Sequence, residues 1–240
     1  MRHILKGSAQ QQLASGVTTV RGAGDPLFAD LAVRDAIDAG KYQGPRLVAP
    51  GTGVTVPGGH GAGLFAQVAN SPVEAAEQVR DLYARGADVI KLFVTGGVFD
   101  ATEVGEPGVL RMPLDFAAAA CKAAHEVGLP VMAHVESTEG EKAALQAGVD
   151  TIEHGAPLTP EILELYRAPR VHSLRTVRPA LPAPSARRCR LYCSTRKRPI
   201  RPIRKRRTAT SCAQASSRAL APHWKLVLGL VLAQIRAARS

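Results

Sequence analysis

The sequence predicts an α/β fold, a partial TIM-type (β/α) barrel of about five βα units followed by a basic C-terminal tail without regular structure. Five times within residues 1–166, a helical stretch ends in glycine and a short β-branched strand follows. All 20 acidic residues lie at or before Glu164, whereas residues 167–240 contain 19 Lys and Arg and no acid. We therefore predict a barrel domain at residues 1–166 and a separate tail at residues 167–240.

The predicted strands are near-continuous apolar runs, as is typical of parallel strands that are covered on both faces. They are Val17–Arg21, Arg46–Ala49, Asp88–Val94, Pro130–Val135 and Thr151–Glu153. The sequence has no Gly-x-Gly-x-x-Gly turn after a strand, which favours a barrel over a dinucleotide-binding sheet.

The predicted helices between these strands have recognisable first turns. A serine or threonine followed three residues later by glutamate predicts a capping box, and proline is favoured at the first helical position. These signals occur at Ser71–Glu74, Thr138–Glu141 and Thr159–Pro160, and a further apolar periodicity predicts a helix at Met112–Val127.

The tail is rich in Arg, Pro, Ala and Ser, and two hypotheses explain this bias. One is a shifted reading frame of a GC-rich gene, which would make the chain a non-functional gene fragment. The other is a basic arm for nucleic acid, centred on Arg196–Arg198 and Arg204–Arg207. Few aromatic residues that could stack on bases accompany the basic ones, so nucleic acid is the less favoured partner.

Three predicted strands carry residues suited to a metal centre. Lys91 lies within an apolar strand, where an unpaired buried ammonium costs several kcal/mol. His134 and His154 lie near the C-terminal ends of the next two strands, which converge at the mouth of a parallel barrel. Imidazole is a good ligand for zinc, whereas an ammonium has no lone pair. Lys91 would therefore need a modification or a carboxylate partner to belong to this centre.

Four segments together resemble the metal-dependent amidohydrolase superfamily, in the imidazolonepropionase-like branch that includes Xaa-Pro dipeptidases. They are Gly16–Arg21, Ile90–Val94, Met132–Glu136 and Thr151–Gly155. The resemblance covers roughly residues 10–166. It implies that Lys91 is carboxylated by CO2 and bridges two zinc ions as the catalytic lysine. It also implies that His134 and His154 bind one of these metals.

The activity that this resemblance implies is metal-dependent hydrolysis of a C–N bond in a small-molecule amide, a dipeptide or other small peptide, or a cyclic amide. Two elements of the family pattern are missing: a His-x-His pair before Gly16, where only His3 occurs, and an aspartate in the last strand, since none follows Asp150. We therefore expect the hydrolysis to be impaired in this chain.

Three further residues have open interpretations. His60, in the glycine-rich loop Pro57–Gly63, is expected to contact substrate or to be an exposed turn histidine. Glu136 shares a strand face with His134 and could orient an imidazole, although a surface or helix-start carboxylate is favoured. Glu153 is expected to face the helices, because side chains alternate and His154 faces the barrel interior.

The longest apolar run, Leu226–Ile235, is shorter than the roughly 20 residues that cross a bilayer, so no membrane partner is expected. The N-terminus lacks the apolar core of a signal peptide, and we expect a cytoplasmic protein. The sequence leaves the oligomeric state open.

Overall fold

The computed structural model describes residues 2–98, 101–102 and 106–167, and the backbone of residues 175–177. Its helices are α1 Arg2–Ala14, α2 Ala29–Asp38, α3 Pro72–Ala84, α4 Leu114–Glu126, α5 Thr138–Ala147 and α6 Pro160–Tyr166. Its strands are β1 Thr19–Arg21, β2 Arg46–Val48, β3 Gly53–Thr55, β4 Ala66–Val68, β5 Ile90–Phe93, β6 Val131–Val135, β7 Thr151–His154 and β8 Arg175–Val177.

The strands form a parallel, partial (β/α) barrel. One sheet pairs β1 with β2, and the other has the order β4-β3-β5-β6-β7-β8. The two sheets meet where the Asp88 N–H donates to the Ala49 carbonyl oxygen at 2.9 Å. The sheets curve around a common interior, since Arg21 on β1 reaches Thr151 on β7 at 3.3 Å. The predicted fold class is confirmed.

Strand β8 lies beyond the predicted domain boundary at residue 166 and pairs with β7. Apart from Arg167 and β8, the predicted tail lies outside the described residues. The boundary itself, the proposed frame shift and the nucleic-acid arm therefore stay predictions. Strands β3 and β4, which follow β2 directly, are additions that the strand pattern did not predict.

The register of β5, β6 and β7 divides their side chains between two environments. Leu92, Ala133 and Ile152 are paired in register and belong to the apolar core beneath the helices. Residues one position away in each strand point the other way, because side chains alternate along a strand. Lys91 and His134 therefore face the interior of the barrel.

The helix starts follow the predicted capping chemistry at two of the three capping signals. Ser71 accepts a hydrogen bond from the Glu74 N–H at 3.1 Å, and Thr159 accepts one from the Ile162 N–H at 3.3 Å. The third signal is wrong by one residue, since Ser137 caps α5 through the Gly140 N–H. Ser137 lies in extended backbone and reaches this N–H, which leaves Thr138 inside the first turn.

No helix within the described ranges is long and apolar enough to cross a membrane.

Gly140 in α5 is required by close packing of this helix on the sheet. A Cβ atom at this position would lie 2.3 Å from the Thr95 Cγ2 and 3.3 Å from the Val135 Cγ1. We expect Gly140→Ala to lower the free energy of unfolding by about 1–3 kcal/mol, the usual cost of overpacking. Denaturant unfolding measures this change.

Gly7 is the matched control, because it also lies within a helix but has no atom within 4 Å of its added Cβ. We expect Gly7→Ala to raise the free energy of unfolding by about 0.5–1 kcal/mol. Equal effects of the two substitutions would contradict the packing that the structure shows between α5 and Thr95.

Candidate metal centre

Lys91 is the largest fully buried side chain among the described residues, with 1% of its surface exposed. It faces the barrel interior on β5, and its Nζ lies 5.1 Å from the centre of the Phe93 ring. Burial lowers the pKa of Lys91 to about 8, and Glu153 opposes this shift while Arg21 reinforces it. At neutral pH, Lys91 therefore has a larger fraction of neutral amine, the form that can react with CO2, than an exposed lysine has.

His134 is also buried, with 4% of its surface exposed. Its Nε2 lies 3.1 Å from the Gly96 carbonyl oxygen. A carbonyl oxygen can only accept, so Nε2 carries the hydrogen and Nδ1 of the neutral ring has a free lone pair. Burial holds the pKa of His134 well below its ordinary value, and the neighbouring His154 lowers it further. The ring is thus neutral and available as a ligand.

His154 reaches the same interior through an unusual backbone turn. It has a φ of 72°, in the left-handed region that non-glycine residues rarely adopt. Its ring centre lies 4.7 Å from that of His134. The Gly155 N–H donates to the Val135 carbonyl oxygen at 3.0 Å, and the Ala156 N–H donates to Glu141 at 2.7 Å. These two bonds hold the turn in place.

Glu136 lies beside the two histidines. One potential ligand atom from each of His134, Glu136 and His154 lies within 4.8 Å of the other two. The Glu136 N–H donates to the Thr95 Oγ1 at 3.0 Å, which fixes the backbone just after β6. Glu136 lies beside both imidazoles and also directly precedes Ser137, the residue that caps α5, so its role stays a prediction.

His60 is buried against this group rather than exposed in a turn. Only 6% of its surface is accessible, and its ring stacks on that of His134 with 4.5 Å between the centres. Phe65 and Phe93 contact its ring edge-on. A Cβ atom on Gly97 would lie 2.4 Å from the His60 ring, so glycine makes room for the histidine. Its role toward substrate stays a prediction.

Glu153 faces the interior, contrary to the expectation that it faces the helices. It is paired in register with His134 and forms an ion pair with Arg21. His154 leaves the strand in a left-handed conformation, so the strict alternation of side chains ends there and both Glu153 and His154 turn inward. A charged residue ending an apolar strand, as Arg21 does, is the signal that could have identified this pair.

Lys91→Met tests the burial of the ammonium in the metal-free, CO2-free protein. Between pH 8 and the ordinary value of 10.5 the unfolded chain binds more protons at this position, so wild-type stability rises with pH there. We expect Lys91→Met to raise the free energy of unfolding at pH 7 by up to about 3 kcal/mol. The gain should shrink toward pH 10.

Denaturant unfolding from pH 7 to pH 10 measures this dependence. Lys122→Met, which changes an exposed lysine of α4, is the control and should show no such trend. A Lys91→Met protein that is less stable than wild type across the whole range would contradict the unfavourable burial of the ammonium.

Glu141→Ala tests the support of the His154 turn. Glu141 is fully buried and accepts hydrogen bonds from the Ala156 N–H and from the Tyr166 hydroxyl at 2.6 Å. We expect Glu141→Ala to lower the free energy of unfolding by about 2 kcal/mol or more, because two half-buried donors lose their buried acceptor. Tyr166→Phe, which removes one of these bonds, should cost about 1 kcal/mol. Thermal and denaturant unfolding measure these changes. A Glu141→Ala protein that is as stable as wild type would contradict the predicted support of the turn.

This chain is similar to one known protein family and to several solved structures. A family model described as Amidohydrolase family matches residues 1–198. A solved protein from Bifidobacterium longum assigned as a prolidase is 40% identical, with a TM-score of 0.62, over 71% of this chain and 40% of its own. A Xaa-Pro dipeptidase with methionine bound in its active site is 34% identical, with a TM-score of 0.62, over 68% of this chain and 43% of its own.

A third structure shows likeness of fold alone. Ochratoxinase from A. niger is 24% identical, with a TM-score of 0.64, over 71% of this chain and 44% of its own. Among curated protein sequences, none is significantly similar to this chain. The chain spans less than half the length of these three solved structures.

Proposed function

We propose, because this chain belongs to the amidohydrolase family, that it hydrolyses C–N bonds in small amides or dipeptides with the help of divalent metal ions. The observation that carries this proposal is the convergence of Lys91, His134 and His154 on one barrel interior from three adjacent strands. A cytoplasmic location and a small-molecule substrate are parts of the same proposal.

The residues of this interior fit a divalent transition metal. His134 offers a neutral imidazole with Nδ1 free of the Gly96 bond, and His154 adds a second imidazole beside it. Lys91 becomes a ligand only after carboxylation, in which its Nζ bonds to the carbon of CO2 and releases a proton to water. We propose that this carbamate bridges a pair of zinc ions.

A divalent ion held there would supply Lewis acidity, which polarises a scissile carbonyl and acidifies a water molecule. In the hydrolysis the water oxygen bonds to the carbonyl carbon, the C–N bond breaks, and the amine nitrogen takes up the proton that the water loses. The buried His60 ring lies against His134, and we propose that it contacts the substrate.

The related proteins support a proposal for the substrate class. The similar Xaa-Pro dipeptidase binds methionine in its active site, and the similar Bifidobacterium longum protein is assigned as a prolidase. We therefore propose dipeptides with a C-terminal proline, such as Met-Pro, as the first substrates to test.

The test uses the full chain with Zn2+ or Mn2+ and bicarbonate, and follows release of methionine from Met-Pro. We expect slow hydrolysis that EDTA abolishes and that added metal restores. His134→Ala, purified in parallel, should hydrolyse Met-Pro at least about 100-fold more slowly. Loss of a metal ligand costs more activity than loss of a residue that only hydrogen-bonds to a ligand. Equal rates for wild type and His134→Ala would identify a contaminating peptidase and overturn the proposal.

A further inference from the structure

We propose that Glu136 is the third protein ligand of a first metal ion, together with His134 and His154, and that this ion binds without carboxylation of Lys91. The inference rests on the proposed function and deepens it, because it names the ligands of the ion that binds first. Its basis is geometric: the three potential ligand atoms lie within 4.8 Å of one another. Small side-chain movements bring such a set to one ion.

The donor set is that of a catalytic zinc site. Two imidazoles and one glutamate carboxylate hold zinc in several hydrolases and leave a fourth position open for water or substrate. Within the described part of the chain, no other group of three His, Cys, Asp or Glu side chains comes together in this way. All three residues lie in the segment that runs from β6 to the end of β7.

Hydrogen bonds fix the positions of His134 and Glu136 relative to each other. The Gly96 carbonyl oxygen accepts from the His134 Nε2 at 3.1 Å and from the Thr95 hydroxyl at 3.0 Å. The Thr95 Oγ1 in turn accepts from the Glu136 N–H at 3.0 Å. Hydrogen-bond partners of this kind orient the side chains that bind a metal. Thr95 is fully buried, so this network holds the backbone of Glu136 and the ring of His134 in place.

His154 is positioned independently of that network. Its left-handed backbone turns the imidazole toward His134, and the bonds from Gly155 and Ala156 keep the turn. The ammonium of Lys91 has no lone pair and contributes nothing to this first site. A site made from His134, Glu136 and His154 therefore needs neither CO2 nor a ligand from Lys91.

The experiment measures Zn2+ and Co2+ binding to the full chain by equilibrium dialysis, in CO2-free buffer and in bicarbonate. We expect one ion per chain without CO2, and an affinity of Lys91→Met for this ion within about threefold of wild type. We expect Glu136→Gln to weaken the affinity for this ion by at least about 100-fold. Loss of a residue that only hydrogen-bonds to a metal ligand already costs about 10–100-fold. The Co2+ absorption spectrum gives an independent reading of the ligand set.

Glu139→Gln is the matched control, since it makes the same change at an exposed glutamate three residues away. Its affinity should equal that of wild type. Thermal unfolding checks that each variant folds; if Glu136→Gln does not fold, the CO2-free stoichiometry and Lys91→Met decide.

Two outcomes would overturn the inference. Binding that requires both bicarbonate and Lys91, with Glu136→Gln behaving like Glu139→Gln, would overturn it and leave the proposed function in place. Failure of wild type to bind any ion in either buffer would overturn the proposed function as well.

Discussion

The backbone turn at His154 is the constraint on which the candidate centre depends. In a regular strand Glu153 and His154 would face opposite sides of the sheet, and only one of them could enter the barrel interior. The left-handed φ of 72° lets both turn inward, at a cost of about 1–3 kcal/mol for a non-glycine residue. The bonds of Gly155 and Ala156 to β6 and α5 offset this cost. The structure thus maintains a strained residue where two imidazoles must meet.

Thr95 links the packing of the helix layer to the chemistry of the interior. Its methyl group packs on Gly140 of α5, and its hydroxyl joins the Gly96 carbonyl to the Glu136 N–H. A change that moves α5 outward is therefore transmitted to His134 and Glu136 through one buried side chain. The same helix contains Glu141, which anchors the turn after His154. Helix α5 consequently supports all members of the His134, Glu136 and His154 group.

The sequence predicts the parts of this arrangement that depend on local patterns. The apolar runs identify β5, β6 and β7, and the costly position of Lys91 points to the interior. The left-handed backbone of His154 could not be predicted, because a positive φ at histidine has no sequence signal. The prediction that Glu153 faces the helices is wrong for the same reason. The burial of His60 depends on Gly97, which is distant in sequence and leaves room for its ring.

The most direct test of this account is the position of a bound ion, measured by anomalous diffraction from crystals of the full chain grown with Zn2+ in CO2-free buffer. The account predicts one strong peak at coordination distance from the imidazoles of His134 and His154 and from the carboxylate of Glu136. A peak elsewhere in the chain, or one at the two imidazoles with Glu136 turned away, would contradict it.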